Sequence, residues 1–286
     1  MIIDSHCHIF NNTISPDLIK YQFNQFEGYG FYKRILEKMN DINTIDTDNI
    51  KEKTIFHIKH AKIDKVVLLP LSIKENDKVM EWVKHSPDVF IPFYNPPERA
   101  TESESIQDVV ERVVVTNKIK GFKIMLPFRK KKLNDKVIFP VLEIAEKHDL
   151  PLLFHTGYPP PGTKKQVLTY SNPVHLEELI GNFSKLKIII AHMGYPWVDI
   201  AISLAVQYPN IYMDISNLTY MMPNRLKELI LRAKEVIGTN KILFGSDGFT
   251  PEMIEIAKSY FNDIDYLNDT DINNILGNNA KKLLKL

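Results

Sequence analysis

Residues 150–192 contain the pattern from which the architecture of the chain is predicted. The apolar run LPLLFH at Leu150–His155 is followed by an amphipathic segment at Pro173–Asn182 and by a second apolar run, KIIIAH, at Lys187–His192. Continuous apolar runs are typical of parallel strands that are covered on both faces, and an amphipathic segment between them is typical of a crossover helix. The stretch therefore predicts a strand–helix–strand unit.

The same alternation of apolar and amphipathic segments extends along the chain. Eight runs predict strands: Met1–Ile9, Asp64–Leu69, Val89–Tyr94, Ile119–Met125, Leu150–His155, Lys187–His192, Asn210–Ile215 and Lys241–Asp247. Further amphipathic segments predict helices: Ile106–Val115, Val137–His148, Trp197–Gln207 and Arg225–Val236. Eight strands separated by helices predict an α/β protein with a (β/α)8 TIM barrel, formed by one domain over residues 1–286. An open, doubly wound sheet is the alternative, although such a sheet usually has fewer strands.

The connection after the first strand, residues 11–62, is longer than a single crossover helix requires. It contains two predicted helices, Gly30–Met39 and Asp48–Lys62, and several aromatic residues. Because barrel enzymes vary most in the loops at the carboxyl ends of their strands, we expect this insertion to cover those ends and to contribute to substrate selection.

Composition limits the classes to which the protein can belong. The 36 Lys and Arg residues nearly balance 35 Asp and Glu residues, and a net charge of +1 argues against nucleic acid binding. No apolar run approaches the ~20 residues that cross a bilayer, and the N-terminus lacks the pattern of a signal peptide. The single cysteine, Cys7, suits a reducing compartment. We therefore expect a cytoplasmic protein with a small-molecule substrate and no membrane or nucleic acid partner, and leave a homo-oligomer open.

The first predicted strand carries the sequence Asp4-Ser5-His6-Cys7-His8. Side chains alternate across a strand, so that Asp4, His6 and His8 share one face, and Ser5 and Cys7 share the other. In a barrel one of these faces is the interior, where both imidazoles point to the same strand end. This pattern predicts that His6 and His8 bind one metal ion and that Cys7 is a packed thiol directed away from it.

Three further polar residues end predicted strands. His155 follows PLLF, His192 follows IIIA, and Asp247 follows LFGS. A titratable side chain at the end of an apolar run is costly to bury unless it is paired or binds an ion, and barrel enzymes carry their active sites at this end of the strands. Three imidazoles with a carboxylate favour zinc or another divalent transition metal.

Lys123 ends the fourth predicted strand, and its spacing from Gly121 directs it to the barrel interior. The other histidines lie in helical or helix-end segments and are interpreted as surface or packing residues: His57, His60, His85, His148 and His175. The spacing of His57 and His60, one helical turn apart, predicts a solvated helix face.

These motifs resemble the amidohydrolase superfamily. The resemblance rests on the opening Asp-x-His-x-His, on FHTG around His155, on IIAHMGYPW around His192 and on LFGSD around Asp247. It extends over the whole chain and includes ILGNNAKKLL near the C-terminus. The branch that the chain resembles is the group of metal-dependent hydrolases related to aminocarboxymuconate semialdehyde decarboxylase.

The resemblance implies a role for each motif residue. The implied metal ligands are His6, His8, His155 and Asp247. Asp247 is either a weak ligand or the general base, His192 contacts the water or the substrate, and Asp4 supports a neighbouring group. One divalent ion, zinc by preference, is expected, with Lys123 as a pocket residue. The alternative is the binuclear arrangement of the superfamily, in which Lys123 is carboxylated and His192 helps to hold a second ion.

Three functions are open from the sequence alone. The first is a metal-dependent hydrolase, in which metal-activated water attacks an amide, lactone or other ester. The alternative is a non-oxidative decarboxylase of an unsaturated or aromatic carboxylic acid. The third is a catalytically silent barrel, which would be expected to lack a ligand, and none is missing. Arg34 and Arg129 are candidate partners for a substrate carboxylate, and aromatic loop residues such as Tyr158 and Tyr195 predict a stiff, partly apolar pocket.

Overall fold

The structure, a computed structural model, describes residues 1–10, 24–159 and 167–286. Its eight strands are β1 Ile3–His8, β2 Lys65–Leu69, β3 Phe90–Tyr94, β4 Gly121–Ile124, β5 Leu152–Phe154, β6 Ile188–Ile190, β7 Ile211–Asp214 and β8 Ile242–Leu243. They pair in parallel and in sequence order from β1 to β8. β8 and the turn after it return to β1 through hydrogen bonds from Ser5 N to Phe244 O and from Asp247 N to His6 O. The chain is a nearly closed barrel, which confirms the predicted fold class.

Helices lie between the strands and after the last one, and most of them surround this barrel. Within the described residues they are α1 Gly30–Asn40, α2 Ile50–His60, α3 Asn76–His85, α4 Ile106–Asn117, α5 Phe139–Lys147, α6 Leu176–Asn182, α7 Val198–Gln207, α8 Leu218–Met221, α9 Pro223–Ile237, α10 Glu252–Ser259, α11 Asp269–Asn273 and α12 Asn279–Leu284. Polar caps begin several of them: the side chain of Asn49 accepts a hydrogen bond from Glu52 N before α2, and Ser105 accepts one from Asp108 N before α4. None of these described helices has the length and apolar character that crossing a membrane demands.

The strands are shorter than the apolar runs predict, because the backbone leaves the sheet just before the polar residues. β5 ends before His155, and β6 ends before a 3-10 turn, Ala191–Gly194, that contains His192. His192 and Asp247 have positive φ angles, 54° and 45°. These left-handed residues break the extended conformation and turn their side chains across the mouth of the barrel.

Apolar side chains pack on both faces of the strands, in one layer inside the barrel and one outside it. Inside the barrel, Ile3, Val67 and Phe93 pack with Leu283 and Leu284 of α12, so the C-terminal helix fills the end of the barrel opposite the polar residues. The larger layer lies between the strands and the surrounding helices and contains Cys7, which is buried and unoxidised. The predicted orientation of Cys7, away from the interior, is therefore confirmed.

The alternation predicted for β1 is wrong at one point. β1 pairs with β2 as Ile3–Lys65, Asp4–Val66, Cys7–Leu68 and His8–Leu69, which leaves one extra residue between Asp4 and Cys7. Such a bulge reverses the side-chain alternation. Ser5 therefore lines the interior, and Asp4 lies on the outer face instead of sharing one with His6 and His8. There Asp4 accepts hydrogen bonds from His6 N (3.0 Å) and Ser246 N (2.9 Å), which tie β1 to the turn after β8.

The described part of the insertion lies beside the last strands of the barrel. α1 contacts α8 and α10, and α2 contacts α10. The Arg34 guanidinium donates to the carbonyl oxygens of Tyr220 and Met221, so this candidate partner for a substrate carboxylate is bound to the backbone. Residues 11–23 of the insertion lie outside the described range. That the insertion covers the strand ends stays a prediction.

The solvated helix face predicted for His57 and His60 is wrong for His57. His57 is fully buried between α2 and α10, with Nδ1 2.5 Å from Glu255 Oε1 and Nε2 3.8 Å from Glu252 Oε1. Helical spacing does not show this, because the partner carboxylates follow about two hundred positions later. His60 has a side chain that is 49% exposed, as predicted.

Candidate active site

Two histidines of β1 lie at the mouth of the barrel, and buried acceptors set the orientation of their rings. His6 Nδ1 is 2.9 Å from Asp214 Oδ2, and His8 Nδ1 is 2.8 Å from the carbonyl oxygen of Leu69. Since an ionised carboxylate and a carbonyl only accept hydrogen bonds, each Nδ1 carries a hydrogen, and in the neutral ring Nε2 presents the lone pair. Both imidazoles are thus prepared to bind a metal through Nε2.

Asp247 lies opposite these lone pairs. Its Oδ1 is 2.9 Å from His8 Nε2 and 3.5 Å from His6 Nε2. Its amide N–H donates to the carbonyl oxygen of His6 at 2.7 Å, which fastens the turn after β8 to β1. Burial alone would raise the pKa of Asp247, but His6, His8 and His192 outweigh it and hold this pKa well below the usual value. Asp247 is therefore ionised.

Asp214, the last residue of β7, is a site residue that the sequence motifs do not single out. It accepts hydrogen bonds from His6 Nδ1, from His192 N (3.0 Å) and from Ser216 N (3.0 Å). Burial opposes its ionisation, yet His6 and His192 lower the pKa of Asp214 below the usual value. A signal was present in the chain, because Asp214 follows the apolar run IYM just as Asp247 follows an apolar run.

His192 lies between the strand ends of β6 and β7. Its Nδ1 is 2.8 Å from Ser216 Oγ and 3.7 Å from Asp247 Oδ2. Nitrogen and oxygen atoms of His6, His192 and Asp247 all lie within 4.8 Å of one another, a His-His-Asp group of the kind that holds metal ions. His192 is therefore one of three side chains placed to hold an ion at this point.

Lys123 lies inside the barrel, as its position in the fourth strand predicts. Its Nζ is 3.0 Å from His6 Nε2, and the residue is 1% exposed. Burial lowers the pKa of Lys123 to about 8, against the opposing effect of Asp247 and Asp214. Burial, with Lys123 close by, also lowers the pKa of His6 to about 4. His6 is therefore neutral near pH 7, as a metal ligand must be.

His155, directly after β5, is buried beside this group and is not one of its three members. Its ring centroid is 5.4 Å from that of His192 and 4.8 Å from that of Phe128. Burial, together with His192 and Lys123, lowers the pKa of His155 well below the usual value. The His155 ring is therefore neutral and chemically suited to bind a metal.

The donor set fits a divalent cation. Nε2 of His8 and Nε2 of His6 lie 2.9 and 3.5 Å from one carboxylate oxygen of Asp247, so positive charge, carried by a proton or by a metal ion, is needed among them. Neutral imidazoles and a carboxylate are the ligands that zinc and related transition metals take. The acceptors behind the rings, Asp214 and the carbonyl of Leu69, are the outer contacts that orient metal-binding histidines.

The turn after β7 and the helix α8 that follows it add two residues to the site, Asn217 and Tyr220, that no motif predicts. Asn217 Nδ2 donates to Asp247 Oδ2 at 2.8 Å, and Tyr220 Oη donates to the carbonyl oxygen of Asp247 at 2.7 Å. Tyr158 lies here as well, with its ring centroid 6.4 Å from that of His192. Only the closing of the barrel brings this turn to Asp247, so the sequence carries no local signal for it.

Arg129 is a less direct candidate for substrate binding than its position after β4 indicates. Its Nη2 donates to Asn95 Oδ1 at 2.6 Å, and its Nη1 is 2.8 Å from Glu98 Oε1. The guanidinium is thus already paired with a carboxylate. These contacts join the segment after β4 to the loop after β3.

A family model described as amidohydrolase matches residues 3–286. The match covers nearly the whole chain, and the protein therefore belongs to the amidohydrolase family. Members of this family use a divalent metal, and membership implies an enzyme, either a hydrolase or a decarboxylase. Among curated proteins, protein fluG of Emericella nidulans is 31% identical over 154 residues. That match covers 49% of this chain and 18% of the relative, so the chain spans about a fifth of the length of fluG.

Solved structures show the same barrel. A "putative metal-dependent hydrolase" from Lactobacillus casei superposes with a TM-score of 0.77 at 19% identity, over 99% of this chain and 95% of that one. A 5-carboxyvanillate decarboxylase from Novosphingobium aromaticivorans, solved with bound manganese, gives a TM-score of 0.67 at 14% identity, over 100% and 97% of the chains. These likenesses concern the fold. They do not show whether the chain belongs to the narrower branch that is related to aminocarboxymuconate semialdehyde decarboxylase.

Proposed function

We propose that the protein is a metal-dependent hydrolase that acts on an amide, lactone or other ester of a small molecule. The observation that supports this best is the convergence of the His6 and His8 lone pairs on Asp247 Oδ1. The proposed ligands of one divalent ion, zinc by preference, are His6, His8, His155 and Asp247. Such an ion polarises a carbonyl group and lowers the pKa of water.

In this proposal the chain's own residues move the protons. Asp247, ionised and facing the site, accepts the proton of the attacking water. His192, within 3.7 Å of Asp247 Oδ2, relays this proton from Asp247 to the leaving group, so both residues end the reaction in their starting protonation states. Asp214 keeps His6 in the tautomer that presents Nε2, and Lys123 provides positive charge for the oxygen on which negative charge develops.

Decarboxylation of an unsaturated or aromatic carboxylic acid is the second candidate. Lys123 favours it, because a buried amine with a pKa of about 8 is a cation that suits a substrate carboxylate. The aromatic rings of Phe128 and Tyr158 stand beside His155 and His192, where a flat substrate would lie. In that reaction the carbon–carboxylate bond breaks, carbon dioxide leaves, and a proton replaces it on carbon.

A substrate panel separates the two reactions. Zinc-loaded protein is incubated with lactones, esters, amides and unsaturated or aromatic acids, and both acid release and carbon dioxide release are followed. We expect acid release without carbon dioxide. Carbon dioxide with a product one carbon shorter would support the decarboxylase instead, and absence of any turnover by fully metallated protein would favour a silent barrel.

We propose one ion per chain, with Lys123 as an unmodified pocket residue. The alternative is two ions bridged by carboxylated Lys123, with His192 among the ligands of the second. Elemental analysis after loading with excess zinc and bicarbonate decides between them. Two tightly held ions in the wild type, falling to one or none in Lys123→Ala, would overturn the single-ion proposal.

The proposal also covers the compartment of the enzyme, its partners and its branch of the family. A net charge of +1 and a single buried cysteine support a cytoplasmic protein whose partner is a small-molecule substrate and not nucleic acid or a membrane. The strand-end motifs support the branch related to aminocarboxymuconate semialdehyde decarboxylase. A homo-oligomer is compatible with each of these points.

A further inference from the structure

The side-chain amide of Asn217 joins the proposed base to a tyrosine on the other side of the barrel mouth. Asn217 Nδ2 donates to Asp247 Oδ2 at 2.8 Å, and Asn217 Oδ1 accepts from Tyr158 Oη at 2.7 Å. These groups come from three separate strand ends, after β7, β8 and β5. Neither Asn217 nor Tyr158 belongs to the histidine and aspartate set of the proposed metal site.

Chemistry allows only one orientation of this amide. If the amide were reversed, its carbonyl oxygen would face Asp247 Oδ2 at 2.8 Å, and two oxygen acceptors would oppose each other. The amide nitrogen therefore faces Asp247, and the oxygen faces the Tyr158 hydroxyl. Burial, with the charge of Asp247 and with Tyr195 nearby, raises the pKa of Tyr158, so the hydroxyl keeps its proton and stays a donor.

This contact makes the two oxygens of Asp247 unequal. Oδ1 faces His8 and His6 at 2.9 and 3.5 Å, and Oδ2 is held by Asn217. The hydrogen bond to Oδ2 opposes rotation of the carboxylate about its Cβ–Cγ bond. The side chain therefore presents Oδ1 to Nε2 of His8 and His6 and keeps Oδ2 on the Asn217 amide, on the side of His192.

The backbone at Asn217 supports a specific role. Its φ and ψ are 52° and −22°, in a left-handed region where asparagine is tolerated far better than most residues. Glycine adopts the same backbone with no strain but lacks the amide. A glycine variant therefore separates the side chain's contribution from the backbone's.

We propose that Asn217 is a positioning residue that fixes the Asp247 carboxylate towards the metal and that Tyr158 acts by fixing Asn217. The inference rests on the proposed metal site, but it concerns residues outside the ligand set. It predicts that the effect of Tyr158 depends on Asn217.

The test is a double-mutant cycle that measures metal binding without substrate. Asn217→Gly, Tyr158→Phe and the double variant are titrated with Zn²⁺ against a chelator, and the visible spectrum of each protein loaded with Co²⁺ is recorded. We expect Asn217→Gly to bind Zn²⁺ about 10- to 100-fold more weakly, as losses behind a ligand typically do. We expect Tyr158→Phe to bind it about 2- to 10-fold more weakly, with a changed Co²⁺ spectrum in both. The double variant should match Asn217→Gly.

Controls keep the outcomes distinct. Tyr260→Phe removes a hydroxyl that hydrogen-bonds to Tyr266, away from the site, and should leave Zn²⁺ affinity and the Co²⁺ spectrum unchanged. If Asn217→Gly does not fold, as judged by circular dichroism, Asn217→Asp takes its place. Wild-type affinity and spectrum in the folded Asn217 variant would overturn the positioning role while leaving the metal site intact. Additive effects would overturn the dependence of Tyr158 on Asn217. A wild-type protein that binds no metal would instead overturn the proposed function.

Discussion

Asp214 controls how His6 is presented to the site. We expect Asp214→Asn to weaken Zn²⁺ binding by about 10- to 100-fold, because an amide can donate to Nδ1 and shift the proton to Nε2, where it blocks the lone pair. Chelator competition measures the affinity. The matched control is Asp149→Asn, which removes a carboxylate paired with Lys187 and Lys285 on the surface. Equal Zn²⁺ affinity in Asp214→Asn and the wild type would refute this role.

Asp247 contributes both an ionised oxygen and, in the proposed reaction, the base. We expect Asp247→Asn to lower kcat at least about 100-fold while some metal binding is kept, because an amide oxygen is a weak ligand and no useful base. Single-turnover rates and metal content are measured on the same preparation, with the exposed Asp265→Asn as the control. Normal turnover in Asp247→Asn would show that the base is another group.

At the scale of single elements, sequence periodicity predicts most of what the structure shows and fails where pairing is irregular. Apolar runs predict all eight strands, since burial on both faces is a local property of each run. They do not predict where a strand ends, because His192 and Asp247 adopt left-handed backbone that no run of residue types encodes. Nor does alternation predict the bulge in β1, which depends on the register against β2 and moves Asp4 to the outer face.

The other differences between the sequence-based predictions and the structure arise from contacts between elements that are distant in the chain. His57 is buried because α10 carries Glu252 and Glu255 to it, and Asp214 and Asn217 enter the site because β7 lies beside β8. A helix period or a short motif contains no information about such neighbours. The common position of His6, His8, His192 and Asp247 is predictable because all strand ends of a barrel meet at one mouth.

The turn between β8 and Asp247 has to pass very close to β1. A methyl group at Gly245 would lie 2.6 Å from His6 Cβ and 3.0 Å from Ser216 Cβ. We expect Gly245→Ala to lower the free energy of unfolding by about 1–3 kcal/mol and to weaken Zn²⁺ binding, because His6 must shift. Urea unfolding and chelator titration measure the two effects.

The control for this prediction is Gly181→Ala in α6. A methyl group there meets nothing within 4 Å, so the substitution should be neutral or raise stability by up to about 1 kcal/mol through helix propensity. Gly245→Ala with wild-type stability and wild-type Zn²⁺ affinity would show that β1 and the turn after β8 tolerate separation.

At the scale of the whole molecule, the barrel separates stability from chemistry. Its interior is filled with apolar side chains and with Leu283 and Leu284 of the C-terminal helix at one end, whereas the buried histidines and carboxylates gather at the other. This is the arrangement in which active sites of (β/α)8 enzymes are found. One group of titratable residues is formed from the carboxyl ends of β1, β4, β6 and β7 and from the turn after β8.

The most direct test of a metal site at this mouth is the metal content of the purified protein. Wild-type protein and the His6→Ala/His8→Ala variant are loaded with Zn²⁺, dialysed, and analysed for bound metal per chain, with circular dichroism to confirm folding. We predict one tightly held ion in the wild type and none in the variant, because the variant lacks both Nε2 lone pairs that face Asp247. No tightly held ion in the wild type, or the same content in the folded variant, would contradict the metal site.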